Sequence, residues 1–167
     1  SALVMLYART IFLYRHLFLS GVRGVKDICV TYASRGLHTV VSIQKQYPGH
    51  VKDVMKHVLG CRGLICKHCV VVDEDIDPWD GFQVEWAIAS RVQADRDIEI
   101  IKDGTSFKLD VSQVPSRRGL SSWLMIDATK PVEAYEREGA SFPPSSEPPE
   151  GLLAKVRARW KDYGFKD

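Results

Sequence analysis

The sequence lacks the features that mark several large classes of protein. Four cysteines in 167 residues are too few for the disulfide framework of a small secreted domain, so we expect reduced, buried thiols in a cytoplasmic protein. The formal net charge is only +2 and the basic residues are scattered, which is not typical of a nucleic-acid-binding surface. The densest basic stretch, residues 155–161, is flanked by Glu150 and Asp162 and indicates a solvated helix face.

The apolar start of the chain also lacks what a membrane span or a signal peptide requires. Arg9, Arg15 and His16 interrupt this segment, so no run of about 20 apolar residues remains. A signal peptide would place its positive charge before the apolar core and a small-residue cleavage site after it. We therefore expect a helix that makes no membrane contact, is apolar around most of its circumference and is exposed by truncation of a larger protein.

Strand and helix signals alternate in the residues that follow. Residues 25–31 and 38–44 are rich in β-branched side chains and predict two strands. A helix is predicted to begin at Pro48 and to end near Gly60, because apolar residues recur between them at helical spacing. That apolar stripe consists of Val51, Val54, Met55, Val58 and Leu59.

The middle of the chain continues this alternation. Residues 69–72 form a continuous apolar run, which predicts a strand buried on both faces of a sheet. Asp77 is predicted to cap the next helix, and Pro78 to be its first residue. Further strands are predicted at residues 97–101 and 122–126. Together these elements predict an α/β fold, with a mixed, mostly parallel sheet flanked by helices.

The acidic stretch after the buried strand has two interpretations. Asp73, Asp75 and Asp77 follow the carboxyl end of that strand, where α/β folds bind ligands and where carboxylates can hold Mg²⁺. The pattern is similar to that of haloacid dehalogenase-type phosphatases, but Asp127 with Lys130 is a poor substitute for the downstream residues that those enzymes need. In the other interpretation, Asp77 caps a helix and its neighbours serve the helix dipole and the loop.

The remaining candidate residues have structural interpretations. Cys66 and Cys69 form a C-x-x-C pair that leads into a strand, whereas a redox pair begins a helix and a structural zinc site needs further ligands. His38 and His50 are predicted to be surface or capping residues. Arg91 completes an apolar stripe near a helix C-terminus, where a cation is favoured.

Four segments taken together resemble the UbiD-type decarboxylases. YPGHVKDVMKHVLG (residues 47–60) resembles the helix that opens with a Tyr-Pro-Gly signature in that family. KHCVVVDEDIDPWDGFQVEWAIASRVQADRDIEII (residues 67–101) resembles the family's strand, acidic loop, Trp-containing helix and next strand. LMIDATKP (residues 124–131) and WKDYGF (residues 160–165) resemble its late Ile-Asp-Ala-Thr stretch and its usual chain end.

The resemblance implies the chemistry of a parent enzyme rather than of this segment. It implies reversible decarboxylation of aromatic acids, such as hydroxybenzoates or gallate, or of α,β-unsaturated acids, with prenylated FMN, Mn²⁺ or Mg²⁺, and K⁺. The family's catalytic residues and the ligands for the flavin phosphate and the metal belong to earlier domains. We therefore expect no catalytic residue and no cofactor or metal site here, and we expect the chain alone to be inactive.

The resemblance also implies which residues face the substrate and which face a second subunit. Thr31, Tyr32 and Ala33 in one segment, and Phe107 and Leu109 in another, correspond to walls of the substrate pocket. Phe107 and Leu109 could instead be alternate residues of a strand packed in the core. A homo-oligomer, at least a dimer, is expected, and its predicted interface comprises three residues of a final amphipathic helix: Leu152, Val156 and Trp160.

The predicted organisation has two parts. Residues 1–20 would connect to a preceding domain, and residues 21–167 would form a C-terminal α/β domain that closes over the active site and supports oligomerisation. A free-standing oligomerisation or regulatory subunit remains an alternative. A Mg²⁺-dependent phosphatase is a further alternative.

Overall fold

The computed structural model describes residues 2–61, 66–108, 110–144 and 148–164. The chain divides into two units, residues 1–130 and 131–167. The strands, all in the first unit, are β1 (Val25–Val30), β2 (His38–Ile43), β3 (His68–Asp73), β4 (Ile98–Thr105) and β5 (Leu120–Ala128). Its helices are α1 (Ala2–Leu19), α2 (His50–Gly60), α3 (Gly81–Arg91) and the short α4 (Ala94–Asp97), with a 3-10 turn at Pro115–Arg117.

The five strands form one mixed sheet in the order β1-β2-β3-β5-β4. The three central strands, β2, β3 and β5, run parallel, and each outer strand is antiparallel to its neighbour. This confirms the predicted α/β fold with a mixed sheet flanked by helices. Although β4 follows β3 and a helix in the chain, it does not join the parallel set but returns along the outer side of β5.

The period-two alternation of β2 and β3 supplies the cores on both faces of the sheet. Val41 and Val71 belong to a cluster with apolar residues of α1 and α2. Val40 and Val70 point the opposite way and join a cluster that contains Val84 of α3. β3 is therefore buried on both faces, as its continuous apolar run predicted.

Two helices begin later than the sequence predicted. α2 starts at His50 after Gly49, whose φ of 86° lies in the left-handed region that favours glycine, so Pro48 is outside the helix. α3 starts at Gly81, because the carboxylate of Asp80 accepts hydrogen bonds from the amides of Phe82 (2.9 Å) and Gln83 (3.5 Å).

Asp77 therefore does not cap α3, and Pro78 is not its first residue. The Asp77 carboxylate instead accepts from the amide of Trp79 at 2.8 Å, and the Asp77 carbonyl accepts from the amide of Asp80 at 3.1 Å. Residues 77–80 thus form a turn that delivers the chain to the cap at Asp80.

The predicted opening helix is present as α1. Leu6, Leu13 and Leu17 are buried along one side, whereas most of its other large apolar side chains are exposed. The exposed set comprises Val4, Met5, Tyr7, Ile11, Phe12, Tyr14, Phe18 and Leu19. Over the part of the chain that the structure describes, no helix combines the length and hydropathy needed to cross a membrane.

The second unit contains α5 (Val132–Arg137), α6 (Glu150–Ala158) and a 3-10 turn at Trp160–Tyr163. Leu152 and Trp160 are exposed and Val156 is half-buried. The predicted final helix is confirmed for Leu152 and Val156, while Trp160 lies in the turn that follows it. Their role as an oligomer interface remains a prediction.

Candidate functional site

The two segments predicted to face a substrate emerge at the same end of the sheet. Residues 31–37 connect β1 to β2, and residues 106–119 connect β4 to β5. The three parallel strands all begin at this end, which we call the amino end of the sheet. The acidic stretch follows β3 and lies at the opposite, carboxyl end. Leu109 lies outside the described residues.

The β1–β2 turn is fixed by its own hydroxyl groups. The Thr31 hydroxyl donates to Ser34 Oγ at 2.6 Å, and Ser34 Oγ donates to the Thr31 carbonyl at 3.1 Å. The amide of His38 donates to Ser34 Oγ at 2.9 Å, which closes the turn onto β2. At Gly36 φ is 92°, in the left-handed region that favours glycine.

A cavity of about 640 Å³ opens beside this turn. Thr31, Tyr32 and Ala33 are in its lining, together with Tyr7 of α1 and Trp79 from the loop before α3. The rings of Tyr7 and Trp79 stack, with centroids 5.6 Å apart and planes 24° apart. The sequence did not point to either aromatic residue, because three separate segments bring the lining together.

A hydrogen bond from the indole N–H fixes the orientation of Trp79. Its Nε1 donates to Asp27 Oδ2 of β1 at 3.0 Å. The indole face is therefore oriented towards Tyr7, while its polar atom is satisfied outside the cavity. An aromatic wall with a fixed orientation is suited to a flat, apolar ligand.

His38 is the first residue of β2 and contributes to the cavity lining. Its Nε2 is buried and has no hydrogen-bond partner within the described residues. Burial, and secondarily the neighbouring His68, lower the pKa of His38 below its ordinary value. A neutral imidazole with an unsatisfied nitrogen therefore borders the cavity, which corrects the prediction of a surface or capping residue.

His50 also differs from its predicted surface or capping role, since it is fully buried. Its Nε2 lies 2.8 Å from the carbonyl of Arg23, and the amide of Gln46 donates to its Nδ1 at 3.3 Å. Its ring packs on Tyr47, with centroids 4.5 Å apart. The imidazole joins the start of β1 to the turn before α2, and its role is structural.

Phe107 follows β4 and is not among the residues that line the cavity. Phe107 lies beyond the end of β4, and it is 41% exposed, so it is not packed in the core. The alternative of a core residue is wrong for Phe107. Its contact with a substrate remains a prediction.

The carboxylates of Asp73 and Asp75 in the acidic loop form ion pairs with Arg91 and Lys130. Buried Arg91 donates from Nη1 to Asp73 Oδ2 at 3.2 Å and makes two hydrogen bonds to the carboxylate of Asp75. Lys130 Nζ lies 2.6 Å from Asp75 Oδ2. Burial would raise the pKa of Asp75, but the hydrogen bonds from Arg91 and Lys130 outweigh it and lower that pKa. These contacts favour the structural interpretation of the loop over the ligand site.

The cysteines are free and buried, as predicted. Burial raises the pKa of the Cys29 and Cys66 thiols to about 11, which is the opposite of what a reactive pair needs. Burial likewise raises the pKa of Cys69 well above its ordinary value. Cys66 and Cys69 therefore pack as apolar residues in the core.

The described residues do not fit a flavin phosphate or a divalent metal. No group of three or more potential metal ligands gathers in the described ranges. The described lining of the cavity includes neither lysine nor arginine, the side chains that would neutralise a phosphate. The cavity offers an aromatic wall with one neutral histidine, His38, and one carboxylate, Glu85.

Comparison with known proteins gives a consistent result. The profile of a family described as the 3-octaprenyl-4-hydroxybenzoate carboxy-lyase C-terminal domain (UbiD_C) matches residues 2–128. The chain is 42% identical over 117 residues to the anhydromevalonate phosphate decarboxylase of Aeropyrum pernix, covering 68% of this chain and 26% of that protein. It is 37% identical over 112 residues to the phenolic acid decarboxylase of Bacillus subtilis, covering 66% and 23%.

Solved structures share the fold. The UbiD-class enzyme HmfF from Pelotomaculum thermopropionicum, in complex with FMN, superposes with a TM-score of 0.76 at 34% identity over 92% of this chain and 34% of that one. The vanillic acid decarboxylase of Sedimentibacter hydroxybenzoicus in closed form gives a TM-score of 0.69 at 28% identity, over 92% and 31%. The chain thus spans about a quarter of the length of the curated relatives and about a third of these solved chains.

Proposed function

The chain belongs to the UbiD family, whose C-terminal domain it matches over residues 2–128, and on that basis we propose that it is part of a prenylated-FMN-dependent decarboxylase of aromatic carboxylic acids. In this proposal the reaction is reversible, and the chain supplies one wall of the substrate pocket rather than the reacting groups. The observation that carries the proposal is the cavity beside the β1–β2 turn, whose lining combines Thr31, Tyr32 and Ala33 with Tyr7 and Trp79.

The flavin, when bound in the parent enzyme, would act as an electron sink while CO₂ departs. Mn²⁺ or Mg²⁺ and K⁺ would bind with it in the parent's other domains, since the residues described here do not fit these groups. The contribution of this chain is exclusion of water and selection of shape. An apolar wall that covers the acid strengthens the electrostatic interactions of the carboxylate with its own binding site.

The lining supports an aromatic substrate. Tyr7, Tyr32 and Trp79 contribute aromatic rings to it, against which a flat acid can pack. An α,β-unsaturated acid with an apolar tail is compatible with the same wall and is the alternative substrate class.

The proposal extends to the organisation of the parent. Residues 1–20 would be the connecting helix, residues 21–167 a lid and oligomerisation domain, and the enzyme a cytoplasmic homo-oligomer. The exposed apolar side chains of α1 support this, because such a surface is normally covered in a larger assembly. In a free-standing oligomerisation or regulatory subunit, a partner protein could also cover α1. That alternative, however, does not explain the aromatic cavity.

Substrate preference of the full-length protein tests the proposal. The protein that contains this chain would be loaded with prenylated FMN and assayed with aromatic acids of increasing ring substitution. Ala33→Phe should narrow the cavity and lower kcat/KM for bulky acids about tenfold or more relative to small ones. Ala94→Phe, at an exposed residue outside the lining, is the matched control. Absence of decarboxylation, or equal preferences in both variants, would overturn it.

A further inference from the structure

Lys67 contacts two segments: the β1–β2 turn, which lines the cavity, and the β4–β5 connection, which carries Phe107. Its backbone amide donates to the carbonyl of Leu37, the last residue before β2, at 2.9 Å. Its side chain reaches in the other direction, where Nζ donates to Asp110 Oδ2 at 2.9 Å and to Ser112 Oγ at 2.7 Å. One residue thus joins the β1–β2 turn to the β4–β5 connection.

The carboxylate that receives Lys67 is buried and fully engaged. Asp110 is 7% exposed, and its Oδ2 also accepts from Ser121 Oγ at 2.9 Å. Its Oδ1 accepts from the amide of Ser112 at 3.0 Å. Because both oxygens have partners in a poorly hydrated site, the position of the carboxylate is fixed by several directional contacts.

The same network fixes the backbone of Phe107. The carbonyl of Phe107 accepts from the amide of Asp110 at 3.0 Å and from Gln113 Nε2 at 3.0 Å. Gln113 Oε1 accepts a further hydrogen bond, at 2.7 Å, from the amide of Gly119, the residue before β5. The turn that carries Phe107 is therefore built around Asp110 and Gln113 and tied through Lys67 to the turn that carries Tyr32.

Fold stability alone does not require this ion pair. The side chains of Lys67 and Asp110 are only 14% and 4% exposed, and the cost of removing two charges from water offsets most of their attraction. Replacing such a pair with well-packed apolar side chains of similar volume is often neutral or stabilising. What the ion pair adds is a fixed geometry between the two turns.

We propose that Lys67 is a positioning residue that sets the turn carrying Phe107 relative to the β1–β2 turn that lines the cavity, and so determines which acids the enzyme accepts. This inference rests on the proposed function and on the predicted contact of Phe107 with the substrate. It assigns Lys67 no contact with the reacting atoms. Asp110 is its partner in that role, and Gln113 carries the effect to Phe107.

The test compares variants of the full-length holoenzyme. Lys67→Met should raise KM for the preferred acid by about tenfold to a hundredfold and change kcat less, because the wall is displaced while the reacting groups are untouched. Lys52→Met is the matched control, since Lys52 is exposed and pairs with Glu99 at the surface. The control should leave KM, kcat and the preference among acids unchanged.

A double variant separates positioning from stability. Lys67→Met with Asp110→Leu replaces the ion pair with apolar side chains and should restore the melting temperature towards the wild-type value without restoring the preference among acids. Recovery of the wild-type preference by this apolar pair would overturn the inference, and so would an unchanged preference in Lys67→Met. Lys67→Arg, which keeps the charge and the donors, should recover part of the selectivity.

Hydrogen exchange provides a readout that does not depend on activity. Relative to the wild-type holoenzyme, the Asp110→Asn holoenzyme should exchange faster at amides of residues 31–37, although the substitution lies in the other turn. Unchanged exchange in this range would overturn the coupling even if the activity were altered. Conversely, a holoenzyme without any decarboxylase activity that still shows the coupled exchange would contradict the proposed function and leave the mechanical link intact.

Discussion

Arg91 and Asp75 form a bidentate ion pair, with Nη1 3.2 Å from Oδ1 and Nη2 3.0 Å from Oδ2. Arg91 is 3% exposed, and its Cζ lies 5.2 Å from the ring centroid of Trp86 on the same helix. The pair fastens the end of α3 to the loop after β3. These contacts stabilise the acidic loop, whereas the candidate cavity lies beside the β1–β2 turn.

Removing this guanidinium should destabilise the domain strongly. Arg91→Met removes the buried cation that pairs with both Asp73 and Asp75, and breaking a buried pair in this way costs about 3–5 kcal/mol. Urea denaturation of the isolated chain measures the loss. Arg117→Met, which breaks an exposed pair with Asp103, should cost no more than about 1 kcal/mol. Equal losses in both variants would contradict the structural role of Arg91.

The stability of the domain should decline in acid through Asp110. Burial would raise the pKa of Asp110, but the hydrogen bonds from Lys67, Ser112 and Ser121 outweigh it and hold that pKa well below its usual range. A depressed folded-state pKa contributes stability above the unfolded value of about 4, and this contribution is lost as the pH falls towards the folded value.

Asp110→Asn therefore isolates this contribution. The difference in free energy of unfolding between wild type and Asp110→Asn should be largest near neutral pH and shrink below about pH 4. Denaturation curves at a series of pH values measure it. A difference that stays constant down to pH 2 would mean that the charge of Asp110 contributes nothing.

Phe107→Ala should alter substrate preference more than fold stability. Because the ring is 41% exposed, truncation should cost the isolated domain less than about 1 kcal/mol. Met55→Ala in the core should cost about 2–5 kcal/mol and serves as the reference. Thermal melts of the domain and competition between acids in the full-length enzyme supply the two measurements. A loss as large as that of Met55→Ala would place Phe107 in the core.

The isolated chain should self-associate, at least to a dimer. Two surfaces are in question: the exposed apolar side of α1, and the predicted interface of Leu152, Val156 and Trp160. If the latter dominates, Trp160→Ala should weaken the dimer and deletion of residues 1–19 should not. If α1 dominates, the deletion should abolish association. Light scattering decides between them, and a mass near 18.8 kDa for the unmodified chain would exclude both.

Sequence periodicity predicted helices and strands correctly where burial of their apolar faces determines the pattern. The apolar run of β3 and the stripe of α2 both lie where the sequence placed them, because burial enforces their periods. The start of α3 was wrong because Asp77 and Asp80 both precede the helix, and only the structure shows which carboxylate meets its amides. The place of β4 depends on strand order, which is a tertiary property that pattern alone does not encode.

The candidate site was less accessible to sequence reasoning. Thr31, Tyr32 and Ala33 were singled out by family resemblance, and they do line the cavity. Tyr7 and Trp79 come from segments 72 positions apart, by difference of their numbers, and nothing local marks them as neighbours. The link from Lys67 to Asp110 spans 43 positions. Charged residues of this kind read as surface residues until the structure shows their burial.

The central claim is that the cavity beside the β1–β2 turn is a wall of the pocket for an aromatic acid. Its most direct test is protection of position 33 from chemical modification in the full-length holoenzyme carrying Ala33→Cys, with labelling followed at the peptide that contains position 33 by mass spectrometry so that other thiols do not contribute. A saturating aromatic acid should slow maleimide labelling at position 33 about tenfold and leave an Ala94→Cys control unchanged. Equal labelling rates at position 33 with and without the acid would contradict the claim.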